Sequence, residues 1–160
     1  MDFQQRLAKA IERGHRRSSE RARAEARKEI TEKELARLHS QYRLELSEHI
    51  EKCLKQTADN FPGFRFETIV GDRGWGASVR RDDIRLQGGR RDNLFSRLQV
   101  LVRPASSYEV LDLIGKATVR NKELFNRNHF QRLTEVDLAT FNEMIDHWVL
   151  EYAEAFAAGN

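Results

Sequence analysis

The apolar residues of this 160-residue chain change period twice, and that change constrains the fold more than any other feature. Leu35, Leu38, Tyr42, Leu46, His49 and Cys53 recur every three or four residues, with Ile50 and Leu54 widening the stripe, which is one buried side of an amphipathic helix. After Phe61-Pro62-Gly63 the period falls to two: Phe64, Phe66, Thr68 and Val70 alternate with Arg65, Glu67 and Ile69. From Leu138 the helical period returns, through Phe141, Ile145, Trp148, Tyr152 and Phe156. A helix, a run of strands and a helix follow, which is an α+β pattern.

Between the helices the pattern predicts four strands. They are Phe64 to Val70, Trp75 to Arg81, Leu94 to Val102 and Tyr108 to Arg120, separated by turn residues at 71–74, 88–93 and 104–107. Connections this short force antiparallel neighbours, so the expectation is a four-stranded antiparallel meander covered on one face by the two helices. Asn121 to His129 is polar and reads as a capped connection into the last helix, its amides bonding loop backbone. Thr31 with Glu34 forms a capping box with Ile30 and Leu35 at the staple positions, and Thr134 with Asp137 forms a second, box-like start.

Residues 16–34 hold a single large apolar side chain, Ile30, among Arg, Glu, Lys, Ser and Ala. Such a stretch can be helical but has nothing to bury. The division expected is a polar, basic helical arm over 1–30 and one α+β domain over 31–160. The helix opened at Thr31 would be longer than the sheet, so apolar positions past the sheet edge predict self-association as a dimer.

Charge is unevenly placed. Residues 61–133 carry 14 Lys/Arg against 8 Asp/Glu, whereas residues 134–160 carry 6 acids and no Lys or Arg. Seven arginines, Arg73, Arg80, Arg81, Arg85, Arg90, Arg91 and Arg97, fall within 25 residues beside Trp75 and Phe95. Planar cations interleaved with aromatics suit a nucleic acid or another polyanion, although Asp72, Asp82, Asp83 and Asp92 share the stretch and can neutralise four of them. The residues expected to bind are Arg73, Trp75, Arg80, Arg81, Arg90 and Arg91, with Asn126 and His129 as a pocket at the sheet's end.

Gly71-Asp72-Arg73-Gly74-Trp75-Gly76 could offer backbone N–H groups to a phosphate, but it lacks the P-loop signature and joins two strands, so it reads as a turn that seats Trp75. His49 and Cys53, four apart on a helix, could share an ion if two more ligands came from elsewhere, His129 and His147 being the histidines available. On the apolar stripe they read instead as core, and neither a metal nor a cofactor is expected. A single cysteine excludes an intrachain disulfide. No nucleophile, base and orienter set is evident, which disfavours an enzyme.

Gly74-Trp75-Gly76, Arg81-Asp82-Asp83, the run from Lys116 to Glu123, and Phe125-Asn126-Arg127 resemble an uncharacterised family of small bacterial proteins. The resemblance implies no activity. The start of the chain lacks the apolar core of a secretory signal and no window is long and apolar enough to span a membrane, so a cytoplasmic protein without a membrane partner is expected. The leading functional expectation is a non-enzymatic adaptor acting through its arm and a sheet or loop face, with a protein partner or a second copy. A nonspecific nucleic-acid or polyanion binder working through the arginine-rich 73–97 region is the alternative, and an enzyme with an unrecognised site comes third.

Overall fold

In the computed structural model, which describes residues 2–159, the order of elements is α1 (Phe3–Asn60), β1 (Arg65–Gly71), β2 (Gly74–Gln87), β3 (Arg90–Val102), β4 (Val110–Val119), β5 (Lys122–Arg132) and α2 (Leu138–Ala157). The chain divides into two units, residues up to Arg37 and residues from Leu38 onward.

The first unit is helical from Phe3 on. Asp2 starts it, its Oδ1 accepting the Gln5 N–H at 2.9 Å, as an N-cap side chain does. Every described residue of this unit except Leu35 is exposed, including Phe3, Leu7, Ile11 and Ile30. The start signal at Thr31 lies inside a continuous helix rather than opening one. α1 runs through it, and the Thr31 hydroxyl donates back to the Arg27 carbonyl at 2.9 Å, the bond of a Thr inside a helix rather than at a cap.

In the second unit α1 ends as its sequence requires, at Asn60 before Pro62 and Gly63, whose φ of 96° only glycine takes readily. The sheet is antiparallel and in chain order, β1-β2-β3-β4-β5, with five strands rather than the expected four. The extra strand is β5, in the segment read as a connection. It is an edge strand with one apolar inward position, Phe125, and three polar ones, Arg127, His129 and Gln131, which alternate with exposed Asn126, Asn128 and Phe130. Those inward groups are matched by α2 and its approach. Arg127 pairs twice with Glu151, at 2.6 and 3.1 Å, His129 meets the Phe141 ring edge-on at 4.9 Å, and the Gln131 side-chain oxygen accepts from the Asp137 N–H at 2.7 Å. Hydropathy alternation cannot reveal a strand whose inner face is satisfied by hydrogen bonds rather than by burial of hydrocarbon.

β2 and β3 extend well past the expected strands, to a two-residue turn at Gly88-Gly89 with φ of 59° and 77°. The β4–β5 turn uses the same backbone at Arg120 (φ 45°) and Asn121 (φ 70°). Asn121 holds it by three bonds to β3: its N–H donates to the Phe95 carbonyl, its side-chain oxygen accepts from the Phe95 N–H, and its side-chain amide donates to the Asn93 carbonyl, each at 2.8 Å. Leu133–Glu135 forms a single 3-10 turn, so α2 starts later than Thr134, with Asp137 as its N-cap accepting from the Ala139 N–H at 3.1 Å.

Both helices of this unit pack on one sheet face. By register that face carries Ala77 and Val79 of β2, Leu98, Val100 and Val102 of β3, and Leu111, Leu113, Gly115 and Ala117 of β4. Against it lie Leu46, Ile50 and Leu54 of α1 and Phe141, Ile145, Trp148 and Tyr152 of α2, all between 0% and 3% exposed. The stripe of α1 from Leu46 to Leu54 is thus covered within the chain. Among the described residues no helix is long and apolar enough to cross a membrane.

Candidate functional site

The opposite face of the sheet is where the arginines gather. Because β-strand side chains alternate, the register sorts the basic residues without ambiguity. Arg65, Arg80 and Arg97 are directly paired across β1, β2 and β3, and so stand side by side in one row. The next row holds Glu67, Ser78, Gln99, Lys116 and Asn126, and the one after it Ile69, Gly76, Leu101, Ile114 and Asn128. On the other side of the arginine row come Asp82 and Phe95, then Ile84 and Asn93, then Leu86 and Arg91 along the β2–β3 hairpin.

Directly opposed side chains on an antiparallel pair are about 5 Å apart, and like charges there repel. Among the described residues none of Arg65, Arg80 and Arg97 has a carboxylate at ion-pair distance. Arg97 donates one bond to the Gln99 side-chain oxygen, while its Nε is buried with no partner, as is the hydroxyl of Ser78 in the adjoining row. The floor of this face is buried, with Leu101 1% and Ser78 0% exposed, and the long cationic side chains form its rim.

Two grooves run along this face. One of about 560 Å³ is lined by Arg73, Arg97, Gln99, Leu101, Arg103 and Lys116 among others, and one of about 600 Å³ by Tyr108, Val110, Phe130 and Arg132 with the 103–106 turn. Among the described residues, none from either helix lines them. Arg103 has a carboxylate at ion-pair distance, Asp112 at 3.8 Å, and Asp72, a second carboxylate, also lines the first groove.

The residues singled out from the sequence divide between the two faces. Arg73, Arg80, Arg91 and Asn126 belong to the open face or its grooves. Arg81 does not: it points to the helix side, bonded to Asp83 at 2.9 Å and to the Pro62 carbonyl at 2.9 Å. Arg90 lies at the hairpin tip opposite Gln87. Trp75 also faces the helices, with the Arg43 guanidinium 4.3 Å over its ring and His39 at its edge. His129 is on the helix side against Phe141, so it shares no pocket with Asn126. Sequence reasoning does not find Arg65, Arg97, Arg103 and Lys116 as a set. Arg65 lies in a strand legible only by its hydrophobic period, and the clustering depends on strands meeting in register.

Two of the three glycines in 71–76, Gly74 and Gly76, are explained by packing. A Cβ on Gly76 would collide with the Val100 carbonyl, and one on Gly74 with the Val102 carbonyl, so these glycines let β2 approach β3 closely.

A second cluster lies between the helices. His49 Nε2 is 2.7 Å from Asp146 Oδ1, and Cys53 Sγ is 3.6 Å from that nitrogen and 3.5 Å from that oxygen. Burial, together with the Asp146 carboxylate, pushes the Cys53 thiol up to about 11, so little thiolate exists near neutral pH. A cysteine relay needs the carboxylate on one imidazole nitrogen and the sulfur on the other, whereas here one nitrogen faces both. The arrangement is unsuited to nucleophilic catalysis. No protein-family model, curated protein or solved structure matches this chain.

Proposed function

We propose that the protein is a non-enzymatic binding protein that takes single-stranded nucleic acid along its open sheet face. The observation that carries this reading is the Arg65, Arg80 and Arg97 row, three opposed cations without carboxylate counter-ions among the described residues. Such a row is unfavourable on its own and is relieved by phosphates spaced along a backbone. Phe95, 36% exposed and two residues from Arg97 on the same face, supplies a stacking surface beside the cations. A sheet face is also open enough to admit a flexible strand.

The test is fluorescence anisotropy with a labelled oligothymidylate. Raising salt from about 50 to about 200 mM should weaken binding by about 20-fold if three phosphates are contacted and by about 50-fold if four are. Arg80→Gln and Arg97→Gln should each weaken it and flatten the salt dependence, while Lys55→Gln on α1 leaves it unchanged. Absence of binding at low salt, or binding indifferent to both arginine variants, refutes the reading.

A second reading, an adaptor that docks through its helical arm, rests on Phe3, Leu7 and Ile11. They recur every four residues on one helix face and are 75%, 40% and 52% exposed. Light scattering tests its simplest form, in which the arm meets a second copy: a mass twice the 18.7 kDa of one chain that halves on Leu7→Asp supports it, and a concentration-independent 18.7 kDa refutes that form.

A further inference from the structure

We infer that His49, Cys53 and Asp146 form a binding site for a divalent transition metal of the zinc type. The three residues offer one nitrogen, one sulfur and one oxygen, a donor set that suits a borderline ion such as Zn²⁺. His49 and Cys53 come from adjacent turns of α1, and Asp146 comes from α2, so two packed helices position the set.

The distances match the ion. With metal–sulfur, metal–nitrogen and metal–oxygen bonds of about 2.3, 2.05 and 2.0 Å, tetrahedral angles place sulfur about 3.5 Å from either light ligand and nitrogen about 3.3 Å from oxygen. The structure has 3.6 and 3.5 Å for the first two separations and 2.7 Å for the third. Two edges of the coordination triangle are therefore already set. The third is closed by the His49–Asp146 hydrogen bond and needs to open by about 0.6 Å, a small side-chain movement at a carboxylate that is 53% exposed. Binding exchanges that hydrogen bond and the thiol proton for three metal bonds: the neutral imidazole gives up its Nε2 proton and takes one at Nδ1, freeing Nε2 for the ion, and the thiol proton goes to solvent.

Three protein ligands leave a fourth position for water or an exogenous donor. Cys53 and Asp146 both line a groove of about 420 Å³ whose wall is Thr57, Phe61, Val149 and Leu150, which gives such a donor a route to the ion. On sequence alone no metal is expected, and His129 and His147 are merely the other histidines available as ligands. His129 packs on Phe141 instead, and the third donor is a carboxylate on the neighbouring helix that spacing could not single out among six acids.

The test is titration of the reduced, chelator-stripped full chain with Co²⁺, followed by displacement with Zn²⁺. The expected result is one ion per chain with a thiolate-to-cobalt charge-transfer band, lost in Cys53→Ser. His49→Gln and Asp146→Asn should each weaken binding by more than about tenfold, the lower bound for altering even the groups that support a ligand. His147→Gln should bind as the parent does. Far-UV circular dichroism identifies any variant that has lost its fold, and for such a variant a rise in Tm with Zn²⁺ in the parent, absent in Cys53→Ala, replaces the affinity comparison. No charge-transfer band at saturating Co²⁺, or undiminished affinity in folded Asp146→Asn, overturns the proposal.

Discussion

Gly14 and Gly115 show how little a residue type says by itself. Gly14 sits inside α1 with nothing within 4 Å of the place a Cβ would take, whereas a Cβ on Gly115 would lie 2.6 Å from the Trp148 ring. Gly14→Ala should therefore raise the helicity of the exposed arm, by the roughly 1 kcal/mol of helix propensity that separates the two residues, and leave the unfolding of the core unchanged. Gly115→Ala should lower the stability of the core by about 1 to 3 kcal/mol, because the indole, only 3% exposed, would be forced to shift. Far-UV circular dichroism checks the first change, and urea unfolding checks the second. His39 offers a second measurement at this scale. Its Nε2–H donates to the Arg103 carbonyl at 3.1 Å, and burial, with Arg43 pushing the same way, holds its pKa below the ordinary 6.5. The unfolded state then binds the proton more tightly, so this stability contribution is complete above pH of about 6.5 and is lost as pH falls through the folded pKa. An NMR titration midpoint below 6.5 is expected, with a smaller acid loss of stability in His39→Gln; a midpoint at or above 6.5 contradicts it.

Among the elements, α2 and β5 were unequally legible. The α2 stripe is hydrocarbon from end to end, and the helix formed where the stripe placed it, except that Asp137 rather than Thr134 caps it. Trp148→Ala, removing a side chain 3% exposed against Phe125 and Gly115, should cost about 3 to 5 kcal/mol. A thermal midpoint unchanged within error would show that the stripe does not form the core. β5 was hidden because three of its four inward residues, Arg127, His129 and Gln131, are polar, with partners on or just before α2. A strand stabilised by an ion pair to another element leaves no period of two in its hydropathy. Arg127 illustrates this: it holds the Glu151 carboxyl below the usual carboxylate range, a relation between residues 24 apart in sequence.

For the whole molecule, the contrast between the two units is one of apolar surface. Up to Arg37 only Leu35 is buried among the described residues, so deleting residues 2–29 should leave the thermal midpoint of the remainder nearly unchanged. A large fall on deletion would show that Phe3, Leu7 or Ile11 is covered in solution. From Leu38 onward the core is continuous across both helices and the inner sheet face, so its variants should unfold in a single transition.

The α+β class, the two helix stripes and the strands that alternate in hydropathy were determined by the sequence alone, because burial of hydrocarbon imposes a period on the chain that carries it. The arginine row and the His49–Cys53–Asp146 cluster were decided only by tertiary structure. Arg65, Arg80 and Arg97 become neighbours through two strand registers, and Asp146 meets Cys53 through helix packing across 93 residues. Neither relation leaves a local signal, since charge and coordination act through space and their partners occupy any separation along the chain.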